Sequence, residues 1–271
     1  MMTLKNGSKG ADVSTLQTSL NRYSYGLNVD GSFGPKTEDA VRKFQKSKGL
    51  SVDGIVGPKT WAALGFTSND SKAIDSSVIY KPLSVHVTKG RQTPQYLAIH
   101  YTAGASSAPG RAQAIYNTFV SRSASADFAV DDRDIVQFNP DIDNYYCWAV
   151  GDAKSPYSSG GSLNGKATNK NTISIEICSN LKSGTSSSAA NHEGWTFTES
   201  TLDNAVKLAK IIIKKYNIPI ERVVRHYDIT GKMCPGVIGW NNETIYDTKG
   251  NKTNQKSGSD KWSEFKKKLA Q

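Results

Sequence analysis

Apolar residues recur at helical spacing three times near the start of the chain: Val13, Leu16, Leu20 and Tyr23; Ala40, Val41 and Phe44, followed by Gln45; and Trp61, Ala62 and Leu64. Such spacing predicts three short helices. Between them one eight-residue phrase occurs twice, as Asp30-Gly31-Ser32-Phe33-Gly34-Pro35-Lys36-Thr37 and as Asp53-Gly54-Ile55-Val56-Gly57-Pro58-Lys59-Thr60. Asp-Gly suits a tight turn that needs positive φ, and proline fits the first helical turn, where the N–H it lacks would be unpaired. Residues 1–66 therefore read as a small all-α domain of three helices, with a limited core that depends on rigid turns. The polar stretch 67–77 reads as a linker.

From Val78 the pattern changes. Short β-favouring runs predict strands over 96–101, 127–130, 135–138, 145–150 and 172–177. Helices are predicted over 111–120 and over 202–216, where Leu202, Ala205, Leu208, Ala209 and Ile212 share a face, with a basic helix at 262–269 closing the chain. Strands mixed with covering helices predict an α/β domain over 78–271, a mixed central sheet with helices on its faces. Gly/Ser/Asn-rich stretches at 154–169 and 183–190 read as long surface loops.

The chain has 271 residues, a length that accommodates two domains, with 37% hydrophobic and 21% charged residues. The formal charge of +10 favours anionic partners. It is spread along the chain, with no block resembling a nucleic-acid-binding tail. The N-terminus lacks the apolar stretch of a secretory signal, and the apolar run at Ile211-Ile212-Ile213 is broken by lysines, so neither export by that route nor membrane insertion is expected. Three cysteines argue against a disulfide framework and leave room for a metal-binding thiolate. Nothing in the pattern sets an oligomeric state.

Of the four histidines, His100 ends an apolar strand and His226 follows Val223-Val224-Arg225; Cys234 comes eight residues later in Gly231-Lys232-Met233-Cys234-Pro235-Gly236, a turn expected to fold the thiolate back beside the imidazole. Two imidazoles and a thiolate suit Zn²⁺ and leave a fourth tetrahedral position for water, the mark of a catalytic site. By residue type and spacing alone, a packed histidine and an ordinary buried thiol remain the competing account. His86 and His192 read as incidental, Cys147 and Cys178 as core residues whose pairing is open, and Trp148, Tyr145 and Tyr146 as core aromatics or sugar-stacking faces.

Two resemblances add to this. Gly10-Ala11-Asp12-Val13, Leu16-Gln17, Phe44-Gln45 and the doubled phrase resemble the peptidoglycan-binding domain 1 family across the whole first domain. His100 in its strand, Asn171-Thr172-Ile173-Ser174-Ile175-Glu176, and His226-Tyr227-Asp228 followed by Lys232, Cys234, Pro235 and Gly236 resemble the zinc N-acetylmuramoyl-L-alanine amidases of type 2, over roughly 78–240. That likeness implies His100, His226 and Cys234 as ligands of Zn²⁺, Glu176 as general base and acid, and Lys232 as stabiliser of the oxyanion. It implies hydrolysis of the amide between N-acetylmuramic acid and L-alanine in bacterial peptidoglycan. Some members of that family carry a Tyr on the strand that here reads Ala126-Asp127-Phe128, which shifts weight to Glu176. Asp228 reads as structural because Cys234 already supplies the third ligand. The domain pair resembles a phage or prophage endolysin, held in the bacterial cytoplasm until a separate pore admits it to the wall. A host autolysin and a wall-recognition protein that does not cut are the alternatives.

Overall fold

The computed structural model describes residues 3–64, 73–104, 106–151, 155, 158–185 and 189–271. The chain divides into two compact units, Met1–Ser71 and Lys72–Gln271. Residues 67–72 of the expected linker lie outside the described residues. Ile74, further along it, donates its N–H to Gln137 Oε1 at 2.8 Å and packs on the core of the second unit.

The first unit holds the three expected helices, Ala11–Asn21 (α1), Pro35–Ser47 (α2) and Pro58–Ala63 (α3), around Leu4, Val13, Leu16, Leu20, Phe33, Val41, Phe44, Val56 and Trp61. Tyr23 lies beyond the end of α1 and half-exposed, its ring edge-on to Phe44. Each copy of the repeated phrase has its glycine at positive φ (Gly31 69°, Gly54 71°) and its proline at the start of a helix. What locks each copy is a buried glutamine. Gln17 Nε2 reaches Asp30 Oδ1 (2.8 Å), Ser32 O and Thr37 Oγ1, while its Oε1 accepts from Gly31 N. Gln45 repeats this with Asp53 Oδ1 (2.7 Å), Ile55 O, Thr60 Oγ1 and Gly54 N. One side chain thus ties turn, strand-like exit and helix start together, and a buried amide is paired at both ends as burial requires.

The two aspartates carry a pH signature. Asp30 is held below the ordinary 3.8 by the Gln17 amide and then the Ser32 N–H, and Asp53 by the Ile55 N–H and then the Gln45 amide. A depressed folded value means that the native state binds fewer protons than the unfolded chain. The contribution is therefore present above the ordinary carboxylate pKa and lost as pH falls through the folded one. Carboxyl carbon NMR titration is expected to place both midpoints below 3.8. Gln17→Ala should raise that of Asp30 and leave Asp53 unmoved; a shift of both, or of neither, refutes the two independent locks.

The second unit has a six-stranded sheet in the order β1-β5-β4-β7-β3-β10, made of Ile79–Tyr80 (β1), Tyr96–Tyr101 (β3), Phe128–Val130 (β4), Ile135–Gln137 (β5), Thr172–Ile177 (β7) and Val223–Arg225 (β10). β3, β4, β7 and β10 run parallel and β5 antiparallel to β4, so the sheet is mixed, as expected. Val87–Lys89 (β2) pairs with Tyr145–Cys147 (β6), Asn180–Leu181 (β8) with Trp195–Thr196 (β9), and Thr244–Tyr246 (β11) with Lys252–Lys256 (β12). The strand expected at 145–150 thus stops at Cys147 and stands outside the central sheet. Buried Arg91 joins it to that sheet, donating to Tyr145 O, Thr172 O and the Asp127 carboxylate.

Arg111–Ser121 (α4) and Glu199–Tyr216 (α5) cover the sheet, with His226–Thr230 (α6) and Asp260–Ala270 (α7) after them. α5 begins three residues ahead of the expected 202, because the Thr198 side chain caps it by accepting from Thr201 N and Glu199 sits in its first turn. Ala205, Leu208, Ala209 and Ile212 of α5 pack on Leu97, Ile99, Phe128, Val130, Ile173, Ile175 and Ile177. Side chains alternate across a strand. The residues between these, Ala98 and His100 on β3 and Ser174 and Glu176 on β7, therefore face away from α5, and Ala129 on that side packs with Ala112 and Phe119 of α4. Among the described residues no helix is long and apolar enough to cross a membrane.

Candidate metal centre and active site

His100 and Glu176 stand directly opposite each other on neighbouring strands. Both lie on the sheet face that α5 leaves open, with His100 Nδ1 4.0 Å from Glu176 Oε1. On the other side of β3, β10 runs in register with Arg225 beside Ile99. The chain then turns into α6, whose first residue is His226, and this sets the two imidazoles side by side with ring centroids 4.6 Å apart. That sharp turn is held by Arg225, which grips both oxygens of Asp228 (Nε to Oδ2 2.9 Å, Nη2 to Oδ1 2.5 Å) and donates through Nη1 to Trp240 O. The Arg225 N–H also donates to Asp228 Oδ2. Asp228 is therefore occupied in shaping α6, the structural role expected for it.

Gly231, at φ 81°, ends α6 and lets the chain double back. Tyr227 N donates to Cys234 O at 2.9 Å, which returns Cys234 to the imidazoles. The donor atoms of His100, His226 and Cys234 all lie within 4.8 Å of one another, and all three residues are buried. His100 Nε2, His226 Nδ1 and Glu176 Oε2 are buried with no hydrogen-bond partner among the described residues. Leaving such atoms unpaired costs about 1–3 kcal/mol each. Three unpaired groups beside one thiol are costly for folding, and a cation that accepts nitrogen and sulfur donors would satisfy the two imidazoles and the thiol together.

The electrostatics suit that set. Burial, then His226 and Lys232, hold His100 well below its ordinary value, and burial with Lys232 brings His226 down to about 3, so both rings are neutral and able to donate lone pairs at pH 7. Burial lifts the Cys234 thiol to about 12 and the Glu176 carboxyl to about 8, with Lys232 opposing the latter. Lys232 is exposed, yet acts on all four groups from the lip of the cleft.

Glu176, Lys232 and the three donors line a cleft of about 790 Å³ together with side chains of α4 and Trp148. Trp148 is 42% exposed, so it is no core residue. Cys147 and Cys178 are buried free thiols. His86 and His192 are not among the converging donors: His86 bonds through Nδ1 to Phe119 O, and His192 Nδ1 accepts from Gly194 N. Asp127, on the strand where a Tyr was considered, is spent on Arg91, Asn139 and Ser174.

Sequence reasoning missed the supports behind the donors. Asn191 donates its N–H to Gly236 O and its side-chain amide to Glu243 O and Thr244 O. Asn241 bridges Asn191 Oδ1 and Pro235 O. Glu243 accepts from Tyr227 Oη and from Ser159 in the loop expected at 154–169. The same loop packs so closely on α6 that a Cβ at Gly160 would stand 2.4 Å from Tyr227 O. These residues sit in polar loops with no periodicity, and a buried hydrogen-bond network leaves no mark in a hydrophobicity pattern.

A mixed-sheet α/β unit with a buried His-His-Cys donor set and a carboxylate at the head of a cleft is thus the class of molecule defined by fold and site. The model of the N-acetylmuramoyl-L-alanine amidase family matches residues 90–237, more than half of the chain, and this chain belongs to that family. Residues 9–64 match the family described as a putative peptidoglycan binding domain. Among curated relatives, the N-acetylmuramoyl-L-alanine amidases CwlA and CwlH of Bacillus subtilis (strain 168) are 31% and 32% identical, over 52% of this chain in each case and over 43% and 47% of their own lengths. The chain thus spans less than half the length of these curated relatives. Among solved structures, the catalytic domain of XlyA is 26% identical with a TM-score of 0.48, covering 71% of this chain and 98% of that one.

Proposed function

We propose that the chain hydrolyses the amide between N-acetylmuramic acid and L-alanine in bacterial peptidoglycan, with His100, His226 and Cys234 holding a zinc ion and residues 1–66 keeping the enzyme on the wall. The observation that carries this is the convergence of three buried donors within 4.8 Å, beside a carboxylate whose Oε2 has no hydrogen bond among the described residues, in an open cleft. In this reading 67–77 links the wall-binding domain to the catalytic domain at 78–271.

When bound in a three-ligand set of this kind, zinc supplies Lewis acidity towards a carbonyl and lowers the pKa of a water to near 7. The chain's own residues do the rest. Glu176 takes a proton from the attacking water as its oxygen bonds to the amide carbon. It then gives that proton to the nitrogen as the carbon–nitrogen bond breaks, so that the sugar lactyl carboxylate and a free L-Ala amine are the products. Burial favours the protonated carboxyl and so helps Glu176 to take up and hold the proton, while the Lys232 charge opposes burial and helps it return to the carboxylate. Lys232 places a fixed positive charge beside the oxygen that becomes negative. The wall-binding domain raises the local substrate concentration without touching the chemistry, and that pairing is the basis for reading the molecule as an endolysin-type lytic enzyme of phage or prophage.

The test is digestion of purified peptidoglycan with and without a zinc chelator, read by mass spectrometry. Chelator-sensitive release of L-Ala amino termini with no new reducing sugars is the expected result. A zinc-loaded protein that binds the wall and leaves it uncut would point instead to recognition without catalysis.

A further inference from the structure

Five side chains of α4, Arg111, Ala114, Ile115, Thr118 and Phe119, and that of Arg122 just past its end line the cleft that holds Glu176 and the donors. The spacing of three and four puts the five helical ones on one face. The helix therefore lies along the cleft as a wall instead of meeting it end-on. At ~1.5 Å rise per residue, the wall from Arg111 to Arg122 is about 16 Å long. Its middle offers methyl groups, a hydroxyl and a ring, and a guanidinium stands at each end.

Those two guanidiniums differ from others in the protein. Arg42, Arg91, Arg133 and Arg225 each pair with a carboxylate. Arg111 and Arg122 are exposed, and among the described residues neither side chain pairs with one. The end of the cleft near Arg122 is preformed: Trp148 Nε1 donates to Thr88 Oγ1 at 2.9 Å, its ring lies 5.3 Å from that of His86, and its N–H donates to Ser125 Oγ at 2.9 Å. Ser125 and Trp148 both line the cleft.

We infer that this wall binds the peptide limb of the substrate, and that Arg111 and Arg122 are specificity-determining residues that pair with its free carboxylates; the inference rests on the amidase reading above. Of the two limbs that meet at the scissile amide, the glycan beyond muramic acid is N-acetylated and neutral, whereas the peptide carries free acids. A guanidinium gains paired, charge-assisted hydrogen bonds from a carboxylate and loses them when that acid is amidated. The two acids of such a peptide are at most about three residues apart, roughly 10 Å of extended chain, a separation that two long side chains rooted at the ends of the wall can meet by reaching inward.

The experiment is calorimetric binding of two synthetic peptides to the full chain: L-Ala-γ-D-Glu-L-Lys-D-Ala with free carboxylates, and its twin amidated at both acids. The free acid is expected to bind about tenfold more tightly, and the preference to fall to near unity in Arg111→Gln/Arg122→Gln, each arginine carrying about threefold as suits partly solvated ion pairs. Arg122→Lys should restore part of it. Both positions are exposed, so the fold is expected to survive, which circular dichroism checks. Equal affinity for the twins, or a preference that outlives the double variant, overturns the clamp. Because binding is read without cleavage, a protein that shows the preference and fails to cut peptidoglycan sinks the amidase reading and leaves the clamp standing.

Discussion

Glu176→Gln is expected to lower the turnover of peptidoglycan about 10²–10⁴-fold, the usual contribution of a positioned proton carrier, with metal content and wall binding unchanged. The exchange keeps shape and hydrogen-bonding capacity and removes only the ability to take up a proton. It isolates that role because Glu176 is held by its backbone: β7 pairs with β3 on one side and β4 on the other, and its neighbours Ile175 and Ile177 are fully buried under α5. Among the described residues no hydrogen bond anchors Oε2, and Oε1 has only His100 Nδ1 at 4.0 Å. The substitution therefore breaks no hydrogen bond among the described residues, and the melting temperature should move little. The measurement is the rate of appearance of L-Ala amino termini together with metal analysis of the same sample. Turnover within a few-fold of the parent would remove Glu176 from the chemistry and leave it as a strand residue that happens to face the cleft.

How far this arrangement could be read from sequence differs residue by residue. The strands 96–101 and 172–177 were legible to the residue, because short β-favouring runs bounded by polar segments are a local signal. Those two strands carry His100 and Glu176, so half the site came with them. The pairing that sets His100 opposite Glu176, and β10 on the far side of β3, is long-range and leaves no local trace. α6 was not expected at all: five residues are too few for periodicity to register, and its start depends on the grip of Arg225 on Asp228. The turn that returns Cys234 was anticipated from Gly231 and Pro235-Gly236. The braces through Asn191, Asn241 and Glu243 were not, since each is defined by partners distant in the chain. In the first unit, by contrast, the doubled phrase announced the architecture, and the structure adds that Gln17 and Gln45 are what make each copy rigid.

The second large effect is on stability. Stripping divalent metal is expected to lower the melting temperature of the second unit by roughly 10 °C, and Cys234→Ala should abolish that difference. The donors come from the end of β3, the start of α6 and the loop beyond it, so an ion held by all three cross-links segments that are otherwise joined through loops. It would also satisfy buried nitrogens that have no hydrogen-bond partner among the described residues. With free metal at a thousand times its dissociation constant, linkage adds about 4 kcal/mol, and a unit of this size shifts by about 2–4 °C per kcal/mol. Protons do not compete at the histidines near neutral pH, because burial with Lys232 keeps His226 down at about 3 and burial holds His100 well below its ordinary value. Cys234→Ala keeps the main-chain bond from Tyr227 N to Cys234 O, so the loop still closes and the variant tests the thiol itself. Scanning calorimetry of parent and variant, each with added zinc and with chelator, separates the possibilities. If the imidazoles and the thiol are merely packed, chelator leaves the parent unmoved and the variant melts lower by the same amount in both conditions; a metal site shows its dependence in the parent and loses it in the variant.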